Sequence, residues 1–254
     1  VNEGEFTKGG DWLSFIDGRL GGFTAASATG APLLFQGKDR ETFLQGLVSN
    51  DVRKLAQGPV YAALLTPQGK YLADFLLIPE EDSILLDVKD SLAEALARRL
   101  AMYRLRADVT IAPTGLHVLR GLSDRPADAW DDPRHPALGW RAYRETAGGP
   151  AWTDWDAIRV AHVIPESGIE LLPDDSYILE AGFERLRGVD FRKGCYVGQE
   201  VTARMKHKTE LRKGLRQVSV WGETTPGTPV TLDGGEVGTI HTQAGNLAIA
   251  HLRL

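Results

Sequence analysis

The sequence predicts an α+β protein that ends in a small β-barrel, and three observations carry that prediction. Apolar residues recur at helical spacing in some segments and form short β-rich runs in others, with neither pattern dominating the 254 residues. Apolar residues make up 43% of the chain and charged residues 25%, the proportions of a folded globular protein rather than a disordered or coiled-coil one. From residue 214 the runs become short, alternating and separated by Gly, Pro and Asn, as in a small barrel.

Taken in order, residues 31–37 (APLLFQG) read as a strand, and Asp39 then stands at a helix N-cap position ahead of Phe43, Leu44, Leu47 and Val48. The runs VYAALLT and YLADFLLI flank Pro67, Gln68 and Gly69, the punctuation of a hairpin, and SILLDV adds a third strand after the acidic turn 80–82. Over 90–105 the residues Leu92, Ala95, Leu96, Leu100 and Tyr103 recur every three or four positions, with Arg98, Arg99, Arg104 and Arg106 gathered where they suit the helix dipole. VTIAP, LHVLRG and GWRAYRE read as strands, the last after a loop over 123–136 rich in Pro, Asp and Trp that marks an internal boundary. Helices are predicted over 154–163 and 196–206, with irregular chain between them. The division that follows is an unassigned segment 1–30, a first lobe 31–122, a second lobe 137–213 and a barrel 214–254, the lobes interleaved in sequence.

Charge and cysteine content exclude several functions. A net charge of -5 lacks the basic footprint of a general nucleic-acid binder, so no direct nucleic-acid contact is expected. One cysteine excludes intramolecular disulfides, a cysteine-rich zinc cage and a self-contained four-cysteine cluster, and no metal site is predicted. No apolar run reaches membrane-spanning length, and residues 1–11 are acidic and glycine-rich, so the sequence reads as cytoplasmic and free of membrane contact.

Chemistry concentrates in Lys193-Gly194-Cys195-Tyr196-Val197-Gly198-Gln199-Glu200. The cysteine lies where a helix is expected to begin, and exposed amides plus the Lys193 cation favour its thiolate. The plainer alternative is a small buried apolar residue, and a Cys-His hydrolase would need His162, His207, His241 or His251 brought beside it. Glu200 and Gln199 fall in the first helical turn, where a carboxylate gains from the dipole. Lys193 has no evident core use. Asn50 and Asp51 suit either a capped turn or a channel wall, and Lys70 stands at a hairpin tip, either solvated or facing an anionic ligand. Arg204, Lys206, His207, Lys208, Arg212 and Lys213 form a basic cluster that either attracts a polyanion or an acidic partner, or is a solvated face.

KGCYVGQE, continuing into VTAR, resembles the signature of the YgfZ family, folate-binding relatives of the glycine cleavage T-protein that assist iron-sulfur cluster maturation. The resemblance extends to FLQGLVSNDV (43–52), LLTPQGKYLADF (64–75), MYRLRADV (102–109), DPRHPALGWR (132–141) and the glycine-rich end. The DPR-to-GWR segment and the short length make it most similar to the alpha-proteobacterial and mitochondrial branch. The resemblance implies a three-lobed, T-protein-like cloverleaf around a central channel that holds tetrahydrofolate or a one-carbon derivative. The residues it assigns to that ligand are Asn50, Asp51, Lys70, Asp74, Tyr196, Gln199 and Glu200, and it makes Cys195, flanked by Lys193, the functional thiol. Implied partners are assembly factors and client enzymes with iron-sulfur clusters, including radical enzymes that modify tRNA.

The departures from the T-protein are chemical. Its paired acidic motif, GGxxDD, is matched here by Gly69 to Asp74, with Asp74 the single carboxylate left. The GYTGE and RxEAG segments are replaced by Gly139-Trp140-Arg141 and Arg159-Val160-Ala161-His162, and a cysteine is gained in KGCYVGQE. Loss of carboxylates with gain of a thiol points to a scaffold for cluster assembly or repair. The alternative is a tetrahydrofolate-dependent aminomethyltransferase or related one-carbon enzyme, with Asp74 as its catalytic group.

Overall fold

A computed structural model describes residues 26–27, 30–150, 153–208 and 211–253; most of the segment 1–30 left unassigned by sequence lies outside them. Three antiparallel sheets organise the described chain. The first has the order β3-β4-β5-β2-β6, built from β2 (Ala31–Gln36), β3 (Val60–Leu65), β4 (Tyr71–Pro79), β5 (Ile84–Val88) and β6 (Thr110–Pro113). Every residue of β3 is buried, and so is nearly all of β4, which is why these runs read as continuously apolar rather than alternating.

Side chains alternate across the two faces of this sheet. Val60, Ala62, Leu64, Phe75, Leu77, Leu86 and Val88 pack on one face against Leu44, Leu96 and Leu100. The last three come from α1 (Arg40–Gln45) and α2 (Asp90–Tyr103). Tyr61, Ala63, Leu65, Leu76, Ile78 and Leu85 pack on the other, against Val160, Ile164, Leu171, Ile178 and Phe183. By the same alternation Asp74 and Asp87 stand on this second, inner face.

The second sheet, β1-β7-β9-β8, comprises β1 (Ala26–Ser27), β7 (His117–Gly121), β8 (Trp130–Asp131) and β9 (Trp140–Arg144). It runs across the expected boundary at 123–136, since β8 lies within that loop and β7 pairs directly with β9. The third sheet, β10-β13-β12-β11, is the C-terminal barrel: β10 (Lys213–Ser219), β11 (Pro229–Leu232), β12 (Gly235–Ala244) and β13 (Leu247–Arg253). It docks on α3 (Trp155–His162) through a buried clamp in which Arg159 donates to Glu170 (3.0 Å) and Thr242 Oγ1 (2.9 Å).

Several local expectations need correction. Asp39 precedes α1, but its carboxylate accepts from the Asp108 amide (2.8 Å) rather than capping the helix. Leu47 and Val48 lie beyond α1, which ends at Gln45. The helix expected from 196 is α4 (Gln199–Lys208), because Gly198 holds a left-handed backbone (φ 83°) that no helix accommodates. Cys195 therefore precedes the helix by a full turn of irregular chain instead of sitting at its N-terminus.

Candidate functional site

The segment after α1 and the loop before α4 are distant in sequence and locked together by side chains. Gln45 donates to the Asp51 carboxylate (3.1 Å) and the Lys193 carbonyl (3.2 Å), and accepts from the Val52 amide (2.8 Å). Ser49 donates to the Gly188 carbonyl (2.6 Å) while accepting from the Ala63 amide (2.9 Å). Asn50 donates to the carbonyls of Tyr61 (2.7 Å) and Arg187 (2.6 Å) and accepts from the Asp51 amide and Lys54 Nζ. Asp51 caps the 3₁₀ turn Val52–Gln57 through the Arg53 amide (3.1 Å) and forks onto the Arg53 guanidinium (2.7 and 2.9 Å). The Arg53 bond and charge lower the Asp51 carboxyl to about 2 against the effect of burial. Asn50 and Asp51 thus act as turn locks, with their polar atoms already used.

Lys193 is buried, at 7% exposure, which corrects the expectation that it has no core use. Its Nζ donates to the carbonyls of Gln45 (2.7 Å) and Val48 (2.5 Å) and lies 4.9 Å from the centre of the Tyr196 ring. The Gln45 carbonyl is the last of α1, where a cation complements the dipole, and the Val48 carbonyl belongs to the turn beyond it. Burial lowers the ammonium to about 8, opposed by Asp51 and Asp190.

Two glycines complete the fit. A Cβ on Gly198 would lie 2.6 Å from the Thr66 carbonyl oxygen, and one on Gly69 (φ 76°) would lie 2.8 Å from Val201 Cβ. The hairpin tip and the motif turn therefore interlock backbone to backbone. Tyr196 is buried in the inner core, Gln199 is half-buried, and Glu200 is exposed and paired with Arg204 (2.7 Å). Above this frame Cys195 is exposed, so the buried-apolar alternative does not hold. None of the four candidate histidines bonds to it among the described residues: His162 stacks on His135 at 4.2 Å, His207 meets Phe191 edge-on, and His241 and His251 line a cleft beside the barrel.

A central chamber lies between the first two sheets. In it Asp74 accepts from the hydroxyls of Tyr61 (2.8 Å), Tyr71 (2.7 Å) and Ser167 (2.5 Å). Burial, then the Asp74 charge, pushes both tyrosines upward. Asp87 accepts from Arg141 (2.8 Å) and Tyr143 (3.0 Å), and Asp132 from Arg134 (2.7 and 2.9 Å) and Arg141 (3.2 Å). Burial alone would raise the Asp132 carboxyl, but the two guanidinium groups hold it down at about 2. Sequence reasoning missed this network, although DPRHPALGWR contains Asp132, Arg134 and Arg141.

The ligand residues assigned by resemblance do not converge. The chamber around Asp74 offers about 60 Å³, well below the roughly 300 Å³ at which small-molecule pockets begin, and three hydroxyls already donate to its carboxylate. Asn50 borders a separate vestibule of about 620 Å³ with Lys54, Tyr61, Arg125, Trp130 and Arg187. Lys70 donates to the Asp175 carbonyl (2.5 Å), lies 3.8 Å over the Tyr177 ring, and lines the barrel cleft of about 670 Å³ with Arg212 and Lys213. The basic cluster is divided as well, since Lys206 pairs with Glu184 (2.6 Å).

The family model of the CAF17 C-terminal beta-barrel domain matches residues 212–254. The fold is that of a glycine cleavage system aminomethyltransferase T from Bartonella henselae, with a TM-score of 0.73 over 94% of this chain and 81% of that one at 11% identity. The human mitochondrial iron-sulfur cluster assembly factor IBA57 is 31% identical across 98% of this chain and 80% of its own length. The mouse protein of the same name is 32% identical across 86% and 74%. These mitochondrial relatives overturn the cytoplasmic expectation: the lack of an apolar run of membrane-spanning length does not separate a mitochondrial interior from the cytoplasm. On this overlap, the chain belongs to the IBA57 family of iron-sulfur cluster assembly factors.

Proposed function

We propose that the chain supports assembly or repair of iron-sulfur clusters through the Cys195 thiol, acting with the assembly machinery rather than alone. The observation that carries this reading is the exposure of Cys195 above a frame whose neighbouring polar groups are consumed internally. A thiolate is a soft ligand suited to iron-sulfur clusters, and such clusters take about four ligands. One cysteine supplies one of them, and no group of three or more metal-binding side chains occurs among the described residues. The remaining ligands then come from a partner, and the buried Lys193 and Tyr196 on either side of Cys195 anchor the loop that presents the thiol to it. Radical enzymes that modify tRNA are the clients suggested by the resemblance to YgfZ proteins. Replacement of Cys195 by serine tests the reading, because it removes the soft ligand and preserves size.

A folate ligand is a second reading, and it belongs in the vestibule rather than the chamber. The vestibule has the volume of a small-molecule pocket, with Trp130 for ring contact and Arg187 for a carboxylate, while Lys54 and Arg125 on its wall already pair with Asp190 and Asp131. Aminomethyl transfer is disfavoured by Asp74, whose oxygens face three hydroxyl donors rather than open space.

A further inference from the structure

We infer that the groove between α2 and the β3–β4 hairpin is the docking site for the protein that meets Cys195, its occupant an apolar side chain with a carboxylate beside it. The inference rests on the proposed role of the thiol and adds the surface on which the partner sits. The groove has about 170 Å³, below the roughly 300 Å³ at which small-molecule pockets begin, so it suits side chains from a protein surface rather than a free ligand. Leu64 and Leu96 are buried beneath it, and Leu72, Leu92, Ala95 and Pro173, each with accessible surface, form its walls. Leu92, Ala95, Arg99 and Met102 follow one stripe of α2 at helical spacing, and Met102, 68% exposed, continues the apolar surface toward the end of the helix.

Charge fixes what the groove accepts. The Arg99 guanidinium on the α2 wall has no ion-pair or hydrogen-bond partner among the described residues, whereas the adjacent Arg98 pairs with Glu94 (3.1 Å). Asp174, on the other segment lining the groove, does not pair with Arg99, and its own carboxylate repels an acid on that side. A carboxylate on the occupant is therefore drawn to the α2 wall and kept from the opposite one, which sets the direction in which the partner lies. The groove is also on the thiol's side of the molecule. Leu64 and Leu72 pack in the outer-face cluster of the first sheet, against which Val197, two residues after Cys195, packs as well. Leu64 bridges Val48, whose carbonyl accepts from Lys193, two residues before Cys195. A protein seated in the groove is thus beside the loop that presents the sulfur.

The test complements a strain lacking the protein and reads iron-sulfur enzyme activity. Ala95→Trp fills the groove from an exposed position, Arg99→Glu reverses its charge, and Arg98→Glu makes the same charge change at the neighbouring arginine that is already paired. The two groove variants should lower activity about tenfold or more while Arg98→Glu keeps the wild-type level, with the urea midpoint and the alkylation rate of Cys195 unchanged in all three. Wild-type activity in both groove variants, or an equal loss in Arg98→Glu, would overturn the inference. Cys195→Ser in the same strain keeps the two readings apart, because it removes the thiol and leaves the groove intact: its failure beside working groove variants sinks the docking surface alone. A benzophenone amino acid in place of Ala95 gives a second measurement. Illuminated in the complemented strain, it should cross-link to an acidic segment of a cysteine-bearing iron-sulfur protein, and capture of a second copy of this chain, or of nothing, would overturn the inference equally.

Discussion

Replacement of Lys193 by methionine tests the frame beneath Cys195. Methionine keeps most of the stem and removes the ammonium that bonds to the Gln45 and Val48 carbonyls. At neutral pH two opposing effects nearly cancel: two lost hydrogen bonds cost about 1 kcal/mol each, and relief of a buried charge returns a similar amount. The diagnostic is the pH dependence. Lys193 titrates from about 8 in the folded chain to 10.5 in the unfolded one, so between those values the unfolded state binds more protons and wild-type stability rises with pH. Two and a half pKa units set a ceiling of about 3.4 kcal/mol, and allowing for residual solvent screening we expect roughly 1–2 kcal/mol. Urea denaturation of both proteins from pH 7 to 10.5 should show the wild type gaining on Lys193→Met by that amount, other groups cancelling in the difference. Parallel stability curves would refute the burial of Nζ on these carbonyls.

Gly198→Ala should destabilise by about 2–4 kcal/mol, from the left-handed backbone and the clash with Thr66, whereas Gly194→Ala, with nothing within 4 Å of its Cβ, should cost about 1 kcal/mol. Urea midpoints distinguish them, and equal costs would deny the interlock of hairpin and motif. Calorimetric titration with tetrahydrofolate should show binding that weakens on Arg187→Ala and is unchanged by Arg120→Leu; the reverse pattern would place the ligand in the chamber instead of the vestibule.

Elements dictated by local patterning were legible in the sequence. The hairpin around Gly69, α2 with its buried Leu96 and Leu100, and the short strands after residue 213 all follow from periodicity and turn residues. The chemistry of Lys193 was not, because its acceptors are backbone carbonyls at the end of α1 and in the turn after it, about 150 residues away, and a lysine carries no sequence mark of such partners. The chamber was hidden for a related reason: Arg120, Arg134 and Arg141 each pass for surface residues until two sheets face one another. A signal did exist. Alternation in ILLDV places Asp87 at an inward position, and in HVLRG and WRAYR it sets Arg120 and Arg141 on one face. Charges at inward positions of predicted strands mark a polar interior, and that reading was available from period two alone.

Whether the chain works through its thiol is tested most directly by complementation of a strain lacking the protein, with iron-sulfur enzyme activity as the readout. Cys195→Ser changes one exposed atom, so its unfolding midpoint should match the wild type within about 0.5 kcal/mol. With folding thus controlled, the account predicts that Cys195→Ser fails to restore activity while the wild type succeeds. Restoration by Cys195→Ser to the wild-type level would contradict it, leaving KGCYVGQE as an architectural lock between the β3–β4 hairpin and α4.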